Sequence, residues 1–528
     1  MTDADGVYDL KKTSVSRNVL FSFLGWVLPL CFTFVLTPFI IRGLGSESFG
    51  LYLLIMGVVG YLASLNFNVG RAITKYVSAF QVNRQTEQIS EVLSTTLGLY
   101  LLIGIVTAGG MLLLSNWLVV DALKIAPALQ PVAELSLTWA AAGLLFTLLS
   151  QVFGAIPQAL QRFDLYGIIT IISGIASVAG SALIVWLGLD VAALTAWVAL
   201  VSFFTSVAFI VVTHRLLPGV RLTGRVQKPL LVGLLKFSGA VTAYQIFGNL
   251  LVLFERGWLT RSLGAAAVTY YVVPMTIAIY IHSFITSLTL VIFPMVSEAG
   301  AHRDTFRLRK IYTRAYKYVS VLAVFPVITL VVNGHQFLSN WMGEDFASKA
   351  VGVLEVQAIA FGLLALLIVA WQVADGLGFP SRNAILSLIW LAIVVPVGIW
   401  LTPRLNILGL AWARLLAMGS VPVYIIYIER RVFGHWLASF WARTGVSLLF
   451  GGGLAAIVQV FLLNQMQVGW LWLSAEIGFS GVVYLSTLWA IGYLDEDERK
   501  RIRESVVRAA VSVISIMRRS FEPGHSGK

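Results

Sequence analysis

The chain has 528 residues, 58% hydrophobic and only 12% charged, with a formal net charge of +12. Soluble domains carry about 25% charged residues, so half the usual charge excludes most soluble folds. The apolar residues also run in long blocks rather than alternating with polar ones.

In chain order, stretches free of Asp, Glu, Lys and Arg cover 18–41, 48–70, 92–120, 135–161, 165–189, 191–214 and 237–254. They resume at 262–297, 318–343, 356–374, 383–403, 444–475 and 477–494. Roughly 18 apolar residues without charge mark a helix that crosses a bilayer, because lipid cannot satisfy free backbone groups. A further segment, 405–428, fits the pattern except for Arg414. The expectation is an all-α polytopic membrane protein of about fourteen transmembrane helices. The one cysteine, Cys31, falls inside the first span, so neither a disulfide nor a cysteine metal site is expected. Asp3, Asp5 and Asp9 stand where a basic leader region would be, and no cleavable signal peptide is expected.

The positive charge sorts by loop. With the N-terminus placed in the cytoplasm, the even-to-odd loops hold nineteen Lys and Arg and the opposite loops six. That bias puts both termini in the cytoplasm. It explains the net charge without a nucleic-acid partner, and none is expected. Residues 495–528 read as a cytoplasmic amphipathic tail: acidic at 495–498, then an apolar stripe of Ile502, Val506, Ala509, Val513 and Ile516 among basic residues suited to anionic lipid headgroups.

The loops exclude several activities. Those outside the cytoplasm are too short to hold the catalytic acids of a membrane glycosyltransferase or polymerase, and no phosphate loop of the GxxxxGK[ST] type is present. The six histidines fall on separate segments with no metal-ligand spacing, so no metal and no cofactor are expected. Transport is the class that remains, without enzymatic activity.

An internal echo organises the chain. Arg42, Leu44, Gly45 and Tyr52 match Arg261, Leu263, Gly264 and Tyr271 at an offset of 219 residues, and Arg162 corresponds to Arg382. Six spans separate the copies, which makes the repeat parallel, and substrate sites in such carriers lie between the halves. The expected organisation is an N-terminal lobe at 1–215 and a C-terminal lobe at 216–432, six helices each. Two extra C-terminal helices at 433–494 and the tail at 495–528 follow.

Ser16-Arg17-Asn18, then Thr37-Pro38-Phe39-Ile40-Ile41-Arg42 and Phe49-Gly50-Leu51-Tyr52, resemble polysaccharide-biosynthesis flippases of the Wzx type. These belong to the superfamily of multidrug, oligosaccharidyl-lipid and polysaccharide exporters. The resemblance continues in Asn68-Val69-Gly70-Arg71, Phe254-Glu255-Arg256, Phe293-Pro294 and Trp341-Met342-Gly343-Glu344-Asp345-Phe346, and so covers spans one to about twelve. It implies a protein of the bacterial inner membrane that moves an undecaprenyl-diphosphate-linked oligosaccharide by alternating access between two lobes, for exopolysaccharide, capsule or O-antigen export. Its partners would be that substrate, membrane lipids, and the polysaccharide polymerase and export machinery. Glu255 departs from the family, which often has Asp there. The alternative is an ion-coupled multidrug exporter of the same superfamily.

A diphosphate needs cationic, preferably bidentate partners. Arg414, Arg256, Arg71 and His282 are therefore the candidate substrate-binding residues, and Glu255 and Glu355 the candidates for ion coupling or ion pairing. Arg414 lies some nine residues into its span, roughly 13 Å at 1.5 Å per residue. Two readings of it stand side by side: a ligand for the diphosphate, or a structural ion pair with Glu355 or Glu476. For His282 the alternative is a hydrogen-bonded packing role, for Arg71 a positive-inside anchor, and for Arg256 an interface position.

Overall fold

The computed structural model describes residues 15–493 together with Glu496 and Glu498, apart from 65–68, 83–84, 221, 223–226, 290–291 and 464–468. The amphipathic tail expected beyond Asp495 lies outside the described residues.

All regular elements among the described residues are helices. The first half holds α1 (Val15–Leu44), α2 (Ser46–Ser64), α3 (Val69–Val82), α4 (Thr86–Leu113), the single turn α5 (Ser115–Trp117), α6 (Gln130–Ala159), α7 (Phe163–Trp186) and α8 (Val191–Leu216). The second holds α9 (Lys228–Leu263), α10 (Ala265–Thr289), α11 (Ile292–Ala301), α12 (Thr305–Met342), α13 (Glu344–Gly376), α14 (Pro380–Leu405), α15 (Ile407–Met418) and α16 (Ser420–Phe433). Helices α17 (Ala438–Leu463) and α18 (Trp470–Ala490) follow. Among the described residues 12 segments are long and apolar enough to cross a bilayer, with α15 and α16 acting as one, and α1 adds a shorter apolar stretch at Leu28–Leu44. Helix α9, which contains the charge-free residues 237–254, brings the total to the expected fourteen. The chain is a multi-pass membrane protein. Its outer surface agrees: Val35, Leu113, Leu449 and Leu471 stand well exposed, as side chains that meet lipid do.

Charge-free stretches misjudge one boundary. The break expected at Glu476 is absent. Helix α18 begins at Trp470, so Glu476 lies inside the last span and is buried there. Helix α12, at 38 residues, is about 57 Å long at 1.5 Å per residue and outruns a hydrocarbon core of about 30 Å. Its first turns, with Arg307, Arg309, Lys310, Arg314 and Lys317, therefore extend beyond the apolar layer.

The echo between the halves is a shared turn. Gly45 (φ 80°) ends α1 by donating its N–H to Ile41 O at 2.9 Å, and Gly264 (φ 88°) ends α9 by donating to Thr260 O at 3.0 Å. Side chains rarely take this left-handed conformation. The α6–α7 and α13–α14 turns match as well: Arg162 N–H reaches back to Pro157 O, and Phe379 N–H to Ala374 O, each at 2.7 Å.

Within the first half, α6 packs on α8 and α4, and α1 on α7. Within the second, α13 packs on α10 and α12, and α14 on α9 and α15. Helices α17 and α18 pair with each other and lie against α12.

Candidate functional site between the two halves

The halves meet where α2 presses on α9 and α10. Gly50 allows it: a Cβ there would stand 1.8 Å from Ala265 O. Beside it, Thr269 Oγ1 donates to Ser46 O at 2.6 Å. Arg256 leaves α9, lies over Gly57 of α2 and donates through Nη1 to Leu53 O at 2.5 Å. Arg261 Nη1 donates across the halves to Asp121 O and Ala122 O at 2.7 and 2.8 Å. On α12, Trp341 stacks on Phe34 of α1, with ring centroids 4.7 Å apart, and donates through Nε1 to Phe34 O at 2.8 Å. Trp470, at the start of α18, meets Phe34 edge-on at 6.2 Å. These contacts seal one end of the molecule, the end with the α1–α2, α9–α10 and α12–α13 turns.

Inside this seam lies a cavity of about 210 Å³. Phe34 and Trp341, together with Phe49, Tyr52 and Tyr280, give it aromatic walls; Thr33, Thr37, Ser177, Ser181 and Thr276 add hydroxyls. Among the described residues no ionised side chain lines it. Both halves contribute, through α1, α2, α7 and α8 on one side and α10 and α12 on the other. At about 210 Å³ it is smaller than a site for a whole drug-sized ligand, for which about 300–1,000 Å³ is typical, and so forms one subsite of a longer path.

A second cavity, about 390 Å³, sits within the first half among α3, α4, α6, α7 and α8. Among the described residues its wall carries no ionised side chain, and Thr74, Thr147, Ser150, Gln151, Gln158 and Thr170 give it polar groups. Thr74, Thr147 and Thr170 donate their hydroxyl protons to carbonyls of their own helices, which leaves oxygen lone pairs for the cavity.

Behind the seam, the second half holds a buried ion pair. Glu255 of α9 and Arg414 of α15 are both buried. Arg414 Nε donates to Oε1 at 2.9 Å and Nη2 to Oε2 at 2.5 Å, the parallel fork that a guanidinium makes with a carboxylate. The Tyr271 hydroxyl lies against both groups and accepts from Gln357 Nε2 at 2.8 Å, while the guanidinium stands 5.3 Å from the Phe361 ring centre. Four helices, α9, α10, α13 and α15, thus converge on one pair of opposite charges.

Of the candidate residues, the structure joins only Arg414 and Glu255. The alternative partners for Arg414, Glu355 and Glu476, lie elsewhere: Glu355 is half-buried on α13 facing His335, and Glu476 is on α18. The correction has a simple origin. Pairing across 159 residues depends on which helices adjoin, and spacing along one helix carries no trace of it. Arg256 points away from its neighbour Glu255, as a 100° step on a helix requires, and enters the seam. His282 is half-buried on α10, with Thr286 Oγ1 3.4 Å from its Nε2. The Arg71 side chain lies outside the described residues. Sequence reasoning missed the aromatic and hydroxyl wall of the seam, although Phe49, Tyr52 and Trp341 were among the residues that carry the family resemblance.

A two-lobed bundle of about fourteen membrane helices, sealed at one end around a cavity shared by both lobes, defines a membrane carrier. Residues 15–299, more than half of the chain, match the model of the polysaccharide biosynthesis protein family, and the chain belongs to that family. It is 22% identical over 384 residues, 72% of this chain and 89% of the relative, to a protein of Shigella flexneri described as "Putative O-antigen transporter". The fold is similar to the inward-facing conformation of a multidrug resistance MATE family transporter of the MOP superfamily (TM-score 0.67, 14% identity, 79% of this chain and 98% of that one). It is equally similar to the lipid II flippase MurJ in an inward closed conformation (TM-score 0.66, 12% identity, 90% and 99%).

Proposed function

We propose that the protein is a flippase, without enzymatic activity, that carries an undecaprenyl-diphosphate-linked oligosaccharide across the bacterial inner membrane, with both termini in the cytoplasm. The observation that carries the reading is the seam cavity. Aromatic faces and hydroxyls are the surfaces that sugar rings bind, through CH contacts and neutral hydrogen bonds. A carrier of cationic drugs needs an acidic wall instead, and no Asp or Glu is among the described residues of this one.

The diphosphate would be met at the cavity's edge. Arg256 is a cation at that edge: it bonds to Leu53, itself a wall residue, and its Nε is buried with no hydrogen-bond partner. Arg414 would serve once Glu255 releases it, and Arg71 and His282 are the further candidates to bind the diphosphate. Burying a diphosphate costs far less when guanidinium groups replace its water. In the alternating-access cycle the contacts around Gly50 seal the periplasmic end, and their release opens it.

The test is complementation of a deletion strain. The wild-type gene should restore surface polysaccharide, while Tyr52→Ala with Trp341→Ala, at normal protein abundance, should not. Drug susceptibility should be unchanged throughout. A deletion that leaves the polymer intact but sensitises cells to cationic drugs would overturn the reading in favour of the exporter.

A further inference from the structure

A third polar cluster lies away from both cavities, where α17 and α18 pack on α12. Gln459 of α17 donates through Nε2 to Thr329 Oγ1 on α12 at 3.1 Å and to Ser480 Oγ on α18 at 3.0 Å. Asn333 of α12 donates to Gln459 Oε1 at 3.2 Å. One turn before Ser480 on the same face of α18 stands Glu476, 1% exposed, with Asn333 against its carboxyl. Three buried oxygens in this cluster accept no hydrogen bond: both carboxylate oxygens of Glu476, and Oδ1 of Asn333.

A buried carboxylate whose oxygens meet no described cation and accept no well-formed hydrogen bond is among the most costly arrangements a protein can hold. The three helices around it supply no described cation. Helix α18 has no basic residue, and the only one on α17, Arg443, is engaged with Gly492 O near the helix start. The basic side chains of α12 sit in its first turns, and Lys317 there is bound to Glu498. His335 of α12 pairs with Glu344 at 3.1 Å instead. Tyr484, two turns further along α18, donates its hydroxyl to Val321 O.

We propose that Glu476 is a proton-binding site: one proton, taken from water, seats the last two helices on α12. Addition of H⁺ converts the carboxylate to a neutral acid whose O–H donates to Asn333 Oδ1. A single proton then satisfies two of the three orphaned oxygens and removes the charge, leaving one carbonyl oxygen without a donor. Loss of the proton returns a bare charge to the lipid-embedded interface, so the packing of α17 and α18 weakens as pH rises. The site lies where the last two helices meet α12 of the second half, apart from the seam cavity, and does not depend on which substrate the seam carries.

The experiment uses the full-length protein in lipid nanodiscs. Infrared difference spectra between wild type and Glu476→Gln at neutral pH should show the carbonyl stretch of a protonated acid in the wild type. Wild-type thermal stability should fall as pH rises, and Glu476→Gln, which mimics the neutral acid, should lose that dependence. Absence of the acid band would overturn the proposal. So would stabilisation of the wild type, but not of Glu476→Gln, by added sodium at constant pH, which would make this a metal-cation site. Should Glu476→Gln fail to assemble, Asn333→Ala keeps the question open to test: losing the proton's acceptor should shift the acid band, and an unmoved band would count against the assignment.

Discussion

The Glu255–Arg414 pair sets what single substitutions can reveal. Removing one partner of a buried pair leaves the other charged in an apolar core, at a cost of about 3–5 kcal/mol, whereas removing both is often near neutral. Arg414→Ala should therefore reduce protein abundance and thermal stability, and Arg414→Ala with Glu255→Ala should recover most of both. Recovered stability without recovered polymer export would show that the pair also serves transport. Arg414→Lys cannot form the two-pronged contact and should fall between. Sequence alone marked both residues because charge in a span is costly. It could not join them, since the α9–α15 contact is set by packing and no periodicity records it.

Among helices, the extra pair α17–α18 is tied to the second lobe by a carboxylate. Glu429 of α16 is fully buried and accepts from Tyr312 OH at 3.0 Å, from Leu437 N–H at 2.9 Å and from Trp441 Nε1 at 2.6 Å. Truncation after Val432 would delete two of those three donors. The twelve-span remainder should then be poorly folded, by roughly 1–3 kcal/mol for each donor lost from a buried acceptor, and Glu429→Leu in the truncated protein should restore part of its yield. Helix count and order were legible in the sequence because a bilayer imposes length and apolarity on each span. One boundary was less so: the charge-free runs split α18 at Glu476, since an ionisable residue need not end a helix when neighbouring helices shield it.

At the scale of the molecule, the sealed end makes alternating access directly testable. Thr269 and Ser46 are in hydrogen-bond contact across the lobes. Cysteines at both positions in a Cys31→Ser background should form a disulfide that abolishes polymer export, with reductant restoring it; export by the cross-linked protein would show that this end need not open. Gly50→Ala works the opposite way. Its methyl would collide with the Ala265 carbonyl, so it should hold the lobes apart and raise the reactivity of Ser46→Cys toward an impermeant thiol reagent. The shared turn behind the loop echo was readable in the sequence, but the chemistry of the seam was not. Its wall is drawn from six helices, and each contributes ordinary aromatic and hydroxyl residues that stand out only once assembled.

The buried ion pair also has a history within the life of each molecule. Glu255 leaves the ribosome 159 residues before Arg414. At a synthesis rate of about 5–20 residues per second, the acid waits roughly 8–30 s for its partner. During that interval span seven must rest in or beside the membrane with an unanswered carboxylate, so the second lobe cannot close until span twelve arrives. Nascent chains stalled between the two should be held by insertion factors or degraded.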